Sequence, residues 1–117
     1  MTTKKRWTEI REKVFIDQCG KCFCCGKIFF SHEEMHAHHA VYTKQKGMEK
    51  WLDSEQNILL ICPACHADHG KLSNLFMRCC VWSDKIDHGY DMENWHLNIP
   101  MLLKDNFVYI GKSERNA

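Results

Sequence analysis

Apolar side chains near the start of the chain recur at the spacing of a helix. In the stretch TEIREKVFIDQC, Trp7, Ile10 and Val14 fall near one face, which predicts a helix over about residues 6–18. Gly20 suits the end of such a helix because glycine adopts the left-handed backbone conformation at little cost. We therefore expect a helix that packs one side against the rest of the domain.

Shorter apolar stretches follow in the middle of the chain. KIFF and HAHHAVY are typical of extended structure, and NILLIC predicts a second strand or the lead into a metal-binding turn. Between the last two, QKGMEKWLD predicts a short helix or an ordered loop. The centre of the chain is therefore expected to consist of short extended segments joined by a helix or a loop.

A second helical pattern begins at His66. Its apolar positions have the spacing i, i+3, i+4, i+7 and i+8, although Gly70 weakens the prediction. Further on, NFVYI is compatible with a strand, and two tryptophans and a leucine are expected in the core. The helical positions are Leu72, Leu75, Phe76, Cys79 and Cys80, and the expected core residues are Trp82, Trp95 and Leu97.

Length and composition narrow the class of protein. A chain of 117 residues is expected to form a single domain, and its apolar and charged fractions are ordinary for a globular protein. No apolar run approaches the roughly 20 residues that cross a membrane, and MTTKKRWTEI lacks the apolar stretch of a signal peptide. We expect a cytoplasmic protein in which the eight cysteines are free thiols or metal ligands, with a secreted disulfide scaffold as the alternative.

The charge is unevenly distributed along the chain. The formal net charge is +1, yet residues 1–30 contain seven Lys or Arg against three Asp or Glu, which gives +4. A basic segment of this kind is compatible with binding phosphates, although KKRW is equally compatible with a solvated tail.

Two cysteine pairs have the spacing of a structural zinc site. Cys22 and Cys25 form one C-x2-C pair, and Cys62 and Cys65 form another. Each pair can hold Zn²⁺ between two sulfurs of a tight turn, and two pairs complete a tetrahedron. Gly26, which follows the first pair, allows its turn to close. Such a site would cross-link distant segments of a small domain.

Two registers are possible for the first cysteine pair. Cys19 and Cys22 have the same spacing as Cys22 and Cys25, so Cys19 is an alternative ligand to Cys25. The Gly-Lys that follows Cys25 favours the second arrangement. The remaining three cysteines are expected to be small buried apolar residues rather than ligands. They are Cys24, Cys79 and Cys80.

Taken together, CFCCGK, HAHHAV and NILLICPACHADH resemble the HNH endonucleases over about residues 20–80. The resemblance implies an α+β fold with a small ββα-metal (His-Me finger) core held by a structural zinc. It would be flanked by an N-terminal helix in residues 1–19 and by a C-terminal extension of unknown role in residues 81–117. All three parts would belong to a single domain, 1–117.

The resemblance also implies roles for individual residues. His39 matches the general base of the family, and His38 matches the first ligand of the catalytic metal. Asn57 matches an asparagine that fixes the loop by hydrogen bonds and orients the base. His66 matches the second metal ligand, and His69, one helical turn later, is either a third ligand or a phosphate contact.

The chemistry of the residues agrees with these roles. Adjacent strand residues point to opposite faces, so His38 can bind a metal while His39 faces a water molecule. An imidazole titrates near neutral pH and can accept a proton from that water. A rival register uses His36 and His38 as ligands on one face and leaves His39 structural. The other histidines, His32, His88 and His96, are expected to be surface or core residues.

The function expected from this resemblance is hydrolysis of DNA phosphodiester bonds by a metal-dependent endonuclease. A phage or mobile-element nuclease that nicks DNA or cuts branched DNA fits a compact chain, as a homodimer or as a partner of packaging or recombination machinery. The catalytic ion is expected to be Mn²⁺, Ni²⁺, Co²⁺, Zn²⁺ or Mg²⁺, and imidazole ligands favour the transition metals. A non-catalytic zinc module that binds nucleic acid is the alternative, and a toxin nuclease with an inhibitor is a third possibility.

Overall fold

The structure is a computed structural model that describes residues 2–41, 47–67, 75–99 and 106–115. Helices alternate with two short strands, so the molecule has the predicted α+β class. In chain order the elements are α1 (Lys4–Asp17), a 3-10 turn (His32–Glu34), β1 (His36–His39), α2 (Glu49–Leu52), β2 (Ile58–Ile61), α3 (Pro63–Ala67), α4 (Leu75–Asp87), α5 (Met92–Leu97) and α6 (Lys112–Arg115).

Helix α1 has the extent and the buried face that the sequence predicts. The Thr3 side chain caps its start by accepting a hydrogen bond from the backbone N–H of Arg6 at 3.1 Å. Ile10 and Val14, one turn apart, are fully buried in the main core. Ile16, one position past this face, is exposed. The helix thus packs along a narrow apolar stripe.

The chain leaves α1 through a turn that requires glycine. Gly20 has a φ of +71°, and a Cβ there would lie 2.9 Å from the carbonyl oxygen of Phe29. Because that approach is closer than side-chain carbons tolerate, Gly20 allows the two segments to meet. The N–H of Phe29 donates to the carbonyl of Gly20 at 2.8 Å. The chain therefore folds back over itself before the first cysteine pair closes.

Strands β1 and β2 form a two-stranded antiparallel sheet. Its register places His36 opposite Ile61, His38 opposite Leu59 and His39 opposite Ile58. All four residues of β2 are buried, whereas β1 is half-buried and begins with an exposed His36. The histidine-bearing strand therefore lies on a rigid apolar strand that forms the centre of the core.

The other edge of β2 is covered by side chains and backbone from the first 23 residues. The Gln18 amide pairs with Leu60 in both directions: its Nε2 donates to the Leu60 carbonyl at 2.9 Å, and its Oε1 accepts from the Leu60 N–H at 2.9 Å. The backbone N–H of Phe23 also donates to that carbonyl, at 3.1 Å. These contacts satisfy polar groups that an edge strand would otherwise leave unpaired.

Arg11 ties α1 to the segment that leads into β1. Its guanidinium donates to the carbonyls of His32 at 2.6 Å and Met35 at 2.8 Å. Its Nε also donates to the Nδ1 of His32 at 3.2 Å. His32 is therefore a structural contact of α1.

Helices α4 and α5 build a second apolar cluster beside the sheet. It joins Trp82 of α4 and Trp95 of α5 to Val41 and Leu52, which lie in the connection between the two strands. Lys85 of α4 is buried and donates from Nζ to the carbonyl of Ile58 at 2.7 Å. The C-terminal part of the described chain thus supports the sheet directly.

Several expectations about the C-terminal half are wrong. Leu75 and Phe76 are about half exposed and Leu97 is more exposed still, because only Cys79, Cys80 and their neighbours on α4 turn towards the core. Leu72 lies outside the described residues. The stretch NFVYI forms no strand over residues 106–110. In the N-terminal half, KIFF, which was expected only to be extended, forms an isolated bridge between Ile28 and Lys21. Local apolar character does not supply these segments with a partner strand.

Within the described parts of the chain, no helix has both the length and the apolar character needed to cross a membrane.

Candidate metal centres and active site

The first cysteine pair lies in a tight turn closed by backbone hydrogen bonds. The N–H of Cys22 donates to the carbonyl of Lys27 at 2.8 Å, and the N–H of Gly26 donates to the carbonyl of Cys22 at 2.9 Å. Gly26 has a φ of +77°, which disfavours a residue with a Cβ. The glycine after the second cysteine therefore closes the turn, as its position in the sequence suggests.

The second pair lies where β2 passes into α3. The N–H of Cys65 lies 3.4 Å from the sulfur of Cys62, and the N–H of His66 donates to the carbonyl of Cys62 at 2.9 Å. The N–H of Cys62 in turn lies 3.3 Å from the sulfur of Cys22. Backbone N–H groups thus point at the sulfurs, which stabilises thiolate charge.

The structure brings the four predicted zinc ligands together. The sulfurs of Cys22, Cys25, Cys62 and Cys65 all lie within 4.8 Å of one another, and those of Cys25 and Cys62 are 3.7 Å apart. Zn–S bonds of about 2.3 Å in a tetrahedron place sulfurs about 3.8 Å apart. The donor set and its spacing therefore fit a four-cysteine zinc site.

The thiol pKa values differ across the cluster. The hydrogen bond from the N–H of Cys65 lowers the pKa of the Cys62 thiol to about 7, and the surrounding thiols add to the effect. Burial raises the pKa of the Cys65 thiol. Negative charge is therefore favoured on Cys62, and a divalent cation would stabilise the other sulfurs as thiolates.

The remaining cysteines lie apart from this cluster. Cys19, the alternative ligand, is exposed and is not part of the four-sulfur group. Cys79 and Cys80 are buried beside Ile110, and Cys24 is half-buried against the main core. The geometry therefore favours Cys25 over Cys19 as the partner of Cys22.

The two adjacent histidines of β1 make their contacts on different sides of the strand. His39 Nε2 lies 2.7 Å from Oδ1 of Asp53, and its ring lies 6.1 Å from the ring of Trp7 at an interplanar angle of 24°. His38 lies near His66 of α3, with ring centroids 6.4 Å apart. This separation matches the alternation expected for a strand.

His36 is the closer ring to His66. Their rings stack with centroids 4.4 Å apart and an interplanar angle of 14°. Two imidazoles on one ion would place their centroids on the order of 5 Å apart with nitrogens converging. His38 and His66 meet edge to face, so a small approach of these rings would bring their nitrogens to one ion. Parallel stacking of His36 on His66 is less suited to shared coordination.

No second cluster of three or more closely spaced ligand atoms appears among the residues that the structure describes. His69 lies outside those residues, so its expected role as a third ligand or phosphate contact remains a prediction. His88 directly follows α4, and His96 lies on α5 with its ring 5.6 Å from that of Trp82. Of the predicted catalytic-metal ligands, His38 and His66 are the pair that the fold places near each other.

Asn57 is fully buried and holds the loop between the strands. Its Nδ2 donates to the carbonyls of Val41 and Leu52, both at 2.9 Å, and its Oδ1 accepts from the N–H of Val41 at 3.0 Å. Its own carbonyl accepts from the N–H of Ala40 at 2.8 Å. The amide thus joins the segment after His39 to the end of α2.

Sequence reasoning missed Asp53 and Trp7 as neighbours of His39, and Thr2 as a partner of Asp53. Asp53 follows α2, and its Oδ2 accepts a hydrogen bond from the hydroxyl of Thr2 at 2.6 Å. Trp7 was expected only as an apolar residue of α1. No spacing in the sequence links these residues to His39, because the contacts arise when α1, β1 and the loop pack together.

A comparison with known protein families found a match to the middle of the chain. Residues 22–72 match the family model described as HNH endonuclease. Neither the comparison with curated proteins nor that with solved structures found a match. The matched segment begins at the first cysteine of the cluster and includes both strands and α3, so it contains the four clustered cysteines and the histidines of β1 and α3.

Proposed function

We propose that this chain, whose residues 22–72 are an HNH endonuclease domain, is a metal-dependent endonuclease that hydrolyses phosphodiester bonds in DNA. The observation that carries the proposal is the placement of two adjacent histidines on different sides of one strand. His38 is near the helix that carries His66, and His39 is paired with a carboxylate. A zinc module that only binds nucleic acid has no need of this division.

In this proposal His39 is the general base. It removes a proton from a water molecule, and the resulting hydroxide attacks phosphorus in line with the bond to the 3′ oxygen. That bond breaks, the 3′ oxygen takes a proton from solvent, and the products are a 5′-phosphate and a 3′-hydroxyl. Asn57 holds the loop next to His39, so the imidazole is presented in a fixed position.

Two kinds of metal site support this chemistry. Cys22, Cys25, Cys62 and Cys65 would hold the structural zinc, for which the sulfur positions fit. His38 and His66, with His69 as a candidate third group, would hold a divalent ion. Such an ion supplies Lewis-acid stabilisation of charge on the phosphate and on the leaving oxygen. Imidazole donors favour Mn²⁺, Ni²⁺, Co²⁺ or Zn²⁺ over Mg²⁺.

The start of α1 offers a surface for the DNA backbone. Lys4 and Lys5 are exposed on its first turn, and Trp7 of the next turn lies against His39. Basic side chains next to the proposed base can contact phosphates on either side of the bond that is cut. The excess of basic residues in 1–30 supports this placement.

The finer parts of the proposal concern the DNA substrate. One site of this kind cuts one strand, so we expect nicking unless two copies act together as a homodimer. Branched DNA, a phage or mobile-element origin, a partnership with packaging or recombination machinery and a cytoplasmic location all remain predictions. Cleavage of supercoiled, linear, single-stranded and branched DNA with each of the five metals would distinguish the substrates.

The function is tested by nicking of supercoiled plasmid with matched, folded variants. His39→Ala should keep zinc content and DNA affinity and lose about 10²–10⁴-fold in rate, the usual contribution of a positioned proton acceptor. His38→Ala should lose the second metal and the activity. His36→Ala should do little, and His88→Ala, a change at an exposed imidazole, is the matched control.

Two outcomes would contradict the assignment. Loss of activity in His36→Ala with full activity in His39→Ala would show that the rival register is correct. Binding of DNA without cleavage across all five metals would favour the non-catalytic zinc module instead.

A further inference from the structure

The carboxylate of Asp53 is bound on both of its oxygens. Oδ1 lies 2.7 Å from Nε2 of His39, and Oδ2 accepts a hydrogen bond from the hydroxyl of Thr2 at 2.6 Å. About a quarter of each of the His39 and Asp53 side chains is exposed. The carboxylate therefore has a fixed orientation, with one oxygen directed at the imidazole.

The backbone on both sides of this pair is fixed by one buried amide. Asn57 bonds to Val41, two residues after His39, and to the carbonyl of Leu52, the residue before Asp53. In addition, the N–H of Asp53 donates to the carbonyl of Glu49 at 2.7 Å and closes the end of α2. The distance between imidazole and carboxylate is thus set by the core and not by two mobile surface side chains.

The N-terminal segment also contacts the pair of His39 and Asp53. Thr2 lies just before the residue that caps α1, and Trp7 follows on the second turn with its ring nearly parallel to that of His39. Both residues come from outside the segment 22–72 that matches the HNH endonuclease family. The flanking helix therefore contributes directly to the surroundings of the proposed base.

We propose that Asp53 is a positioning residue for His39 and that Thr2 holds Asp53 in place. In the neutral imidazole, Nε2 carries the proton and donates a hydrogen bond to the carboxylate of Asp53. The lone pair that takes the proton from water is therefore on Nδ1. After that transfer the imidazolium has N–H groups on both nitrogens, and the ionised carboxylate stabilises its charge. The proton on Nδ1 then passes to solvent.

This inference rests on the proposed function, in which His39 is the general base. It goes further because it assigns the tautomer of the base and names two residues that the resemblance does not supply. A purely structural ion pair at a partly exposed position contributes little to stability. The two explanations therefore differ in what they predict for the tautomer and for the chemical step.

The tautomer can be observed directly in the zinc-loaded full chain. Long-range ¹H–¹⁵N correlation spectra of protein labelled in histidine, recorded above about pH 8, where an ordinary imidazole is neutral, distinguish the two nitrogens. We expect His39 to carry its proton on Nε2. In Asp53→Ala we expect a mixture of tautomers, and in Thr2→Val we expect the Nε2–H form to persist with a weaker hydrogen bond.

Single-turnover cleavage measures the consequence for the reaction. Asp53→Ala should slow cleavage about 100-fold with DNA affinity unchanged, because a misplaced catalytic group costs about that factor. D53N should fall between wild type and Asp53→Ala, since an amide oxygen can still accept from Nε2–H but carries no charge. Glu55→Gln is the matched control, because Glu55 lies two residues away and its ion pair is with Arg6 at 3.0 Å.

An Nδ1–H tautomer of His39 in the wild type, or wild-type cleavage by Asp53→Ala, would overturn the inference. Failure of the proposed function gives a different pattern. In that case His39→Ala cleaves DNA at the wild-type rate while the wild-type spectra still show the Nε2–H form. If Asp53→Ala fails to fold, D53N and the wild-type spectra still decide the question.

Discussion

The cysteine cluster and the histidine face of the sheet are both built from two separated segments, but they are held in different ways. The four sulfurs lie within 4.8 Å of one another, and each pair is positioned by hydrogen bonds inside its own turn. In the histidine face, the ring centroids of His38 and His66 are 6.4 Å apart, and His39 contacts Asp53, which follows α2. Local geometry forms the first site, and tertiary packing forms the second.

The dependence between the two regions runs in one direction. His66 directly follows Cys65, and its N–H bonds to the carbonyl of Cys62, so the second cysteine turn sets the start of α3. Asn57 and Asp53, which hold the other histidine, lie in a loop that does not contact the sulfurs through any of the hydrogen bonds described above. A loss on the cysteine side should therefore reach the histidines, whereas a loss on the histidine side should leave the zinc in place.

The largest effect is expected from Cys62→Ser. Structural zinc binding contributes roughly 10 kcal/mol or more to folding in small domains, so this change should release about one zinc per chain and cost most of the fold. Metal analysis together with circular dichroism measures both. Cys19→Ser, at an exposed thiol outside the cluster, should keep the zinc and the native spectrum. A Cys62→Ser protein that melts like the wild type without zinc would refute this dependence.

A smaller effect, confined to the histidine side, is expected from Asn57→Ala. The change leaves the N–H and carbonyl of Val41 and the carbonyl of Leu52 without this partner, and each buried unsatisfied group costs about 1–3 kcal/mol. We expect unfolding free energy to fall by about 3–5 kcal/mol in denaturant titrations, with zinc content unchanged. Asn98→Ala, which removes an exposed hydrogen bond to Asn94, is the control and should change stability by less than about 0.5 kcal/mol.

The Asn57→Ala variant also tests whether the cysteine cluster and the histidine face unfold together. If Asn57→Ala loses zinc in proportion to its loss of stability, the two regions unfold as one unit. If zinc is retained while cleavage is lost, the cysteine cluster and the histidine face are separable. The second result is the one that the hydrogen bonding predicts.

The parts that could be predicted from the sequence are those fixed by short-range spacing. Helix α1, the two strands and the two cysteine pairs, Cys22 with Cys25 and Cys62 with Cys65, all follow from patterns within a few residues. The preference for Cys25 over Cys19 is also local, because it depends on the glycine that closes the turn. Such features need no knowledge of what lies across the fold.

The parts that could not be predicted depend on distant contacts. Asp53 and Thr2 are 51 residues apart in the chain, and Arg11 reaches His32 and Met35 across the core. The exposure of Leu75 and Phe76 depends on which face of α4 the sheet covers. A single sequence indicates neither of these, because the same local patterns are compatible with many packings.

The smallest effect is expected from Lys85 of α4, which binds the strand paired with the histidine-bearing strand. Its ammonium is buried, bonds to the carbonyl of Ile58 opposite His39, and lies 5.6 Å from the ring centroid of Tyr90. Burial lowers the pKa of Lys85 to about 8, against the opposing attraction of Asp84. The folded chain therefore releases this proton at a lower pH than the unfolded chain does.

The sign of the pH dependence follows from that difference. Below about pH 8 both states hold the proton and the folded state bears the full cost of the buried charge. Between about pH 8 and 10.5 the unfolded state binds more protons, so this group makes the protein more stable as pH rises. From about pH 7.5 to 9.5 the unfolding free energy of the wild type should rise by about 2 kcal/mol relative to that of Lys85→Met. Other titrating groups are common to both proteins and cancel in the difference.

Denaturant titrations of the two proteins across this pH range provide the measurement. Lys13→Met is the matched control: Lys13 also lies over the Tyr90 ring, but half of its side chain is exposed. Its repulsion of Lys85 is a minor cause beside burial, so most of the slope should remain when Lys13 is replaced. Zinc content should be the same in all three proteins, because none of these contacts involves the sulfurs. Parallel pH profiles for wild type and Lys85→Met would mean that the ammonium is solvated, and that α4 does not hold β2 by a buried charge.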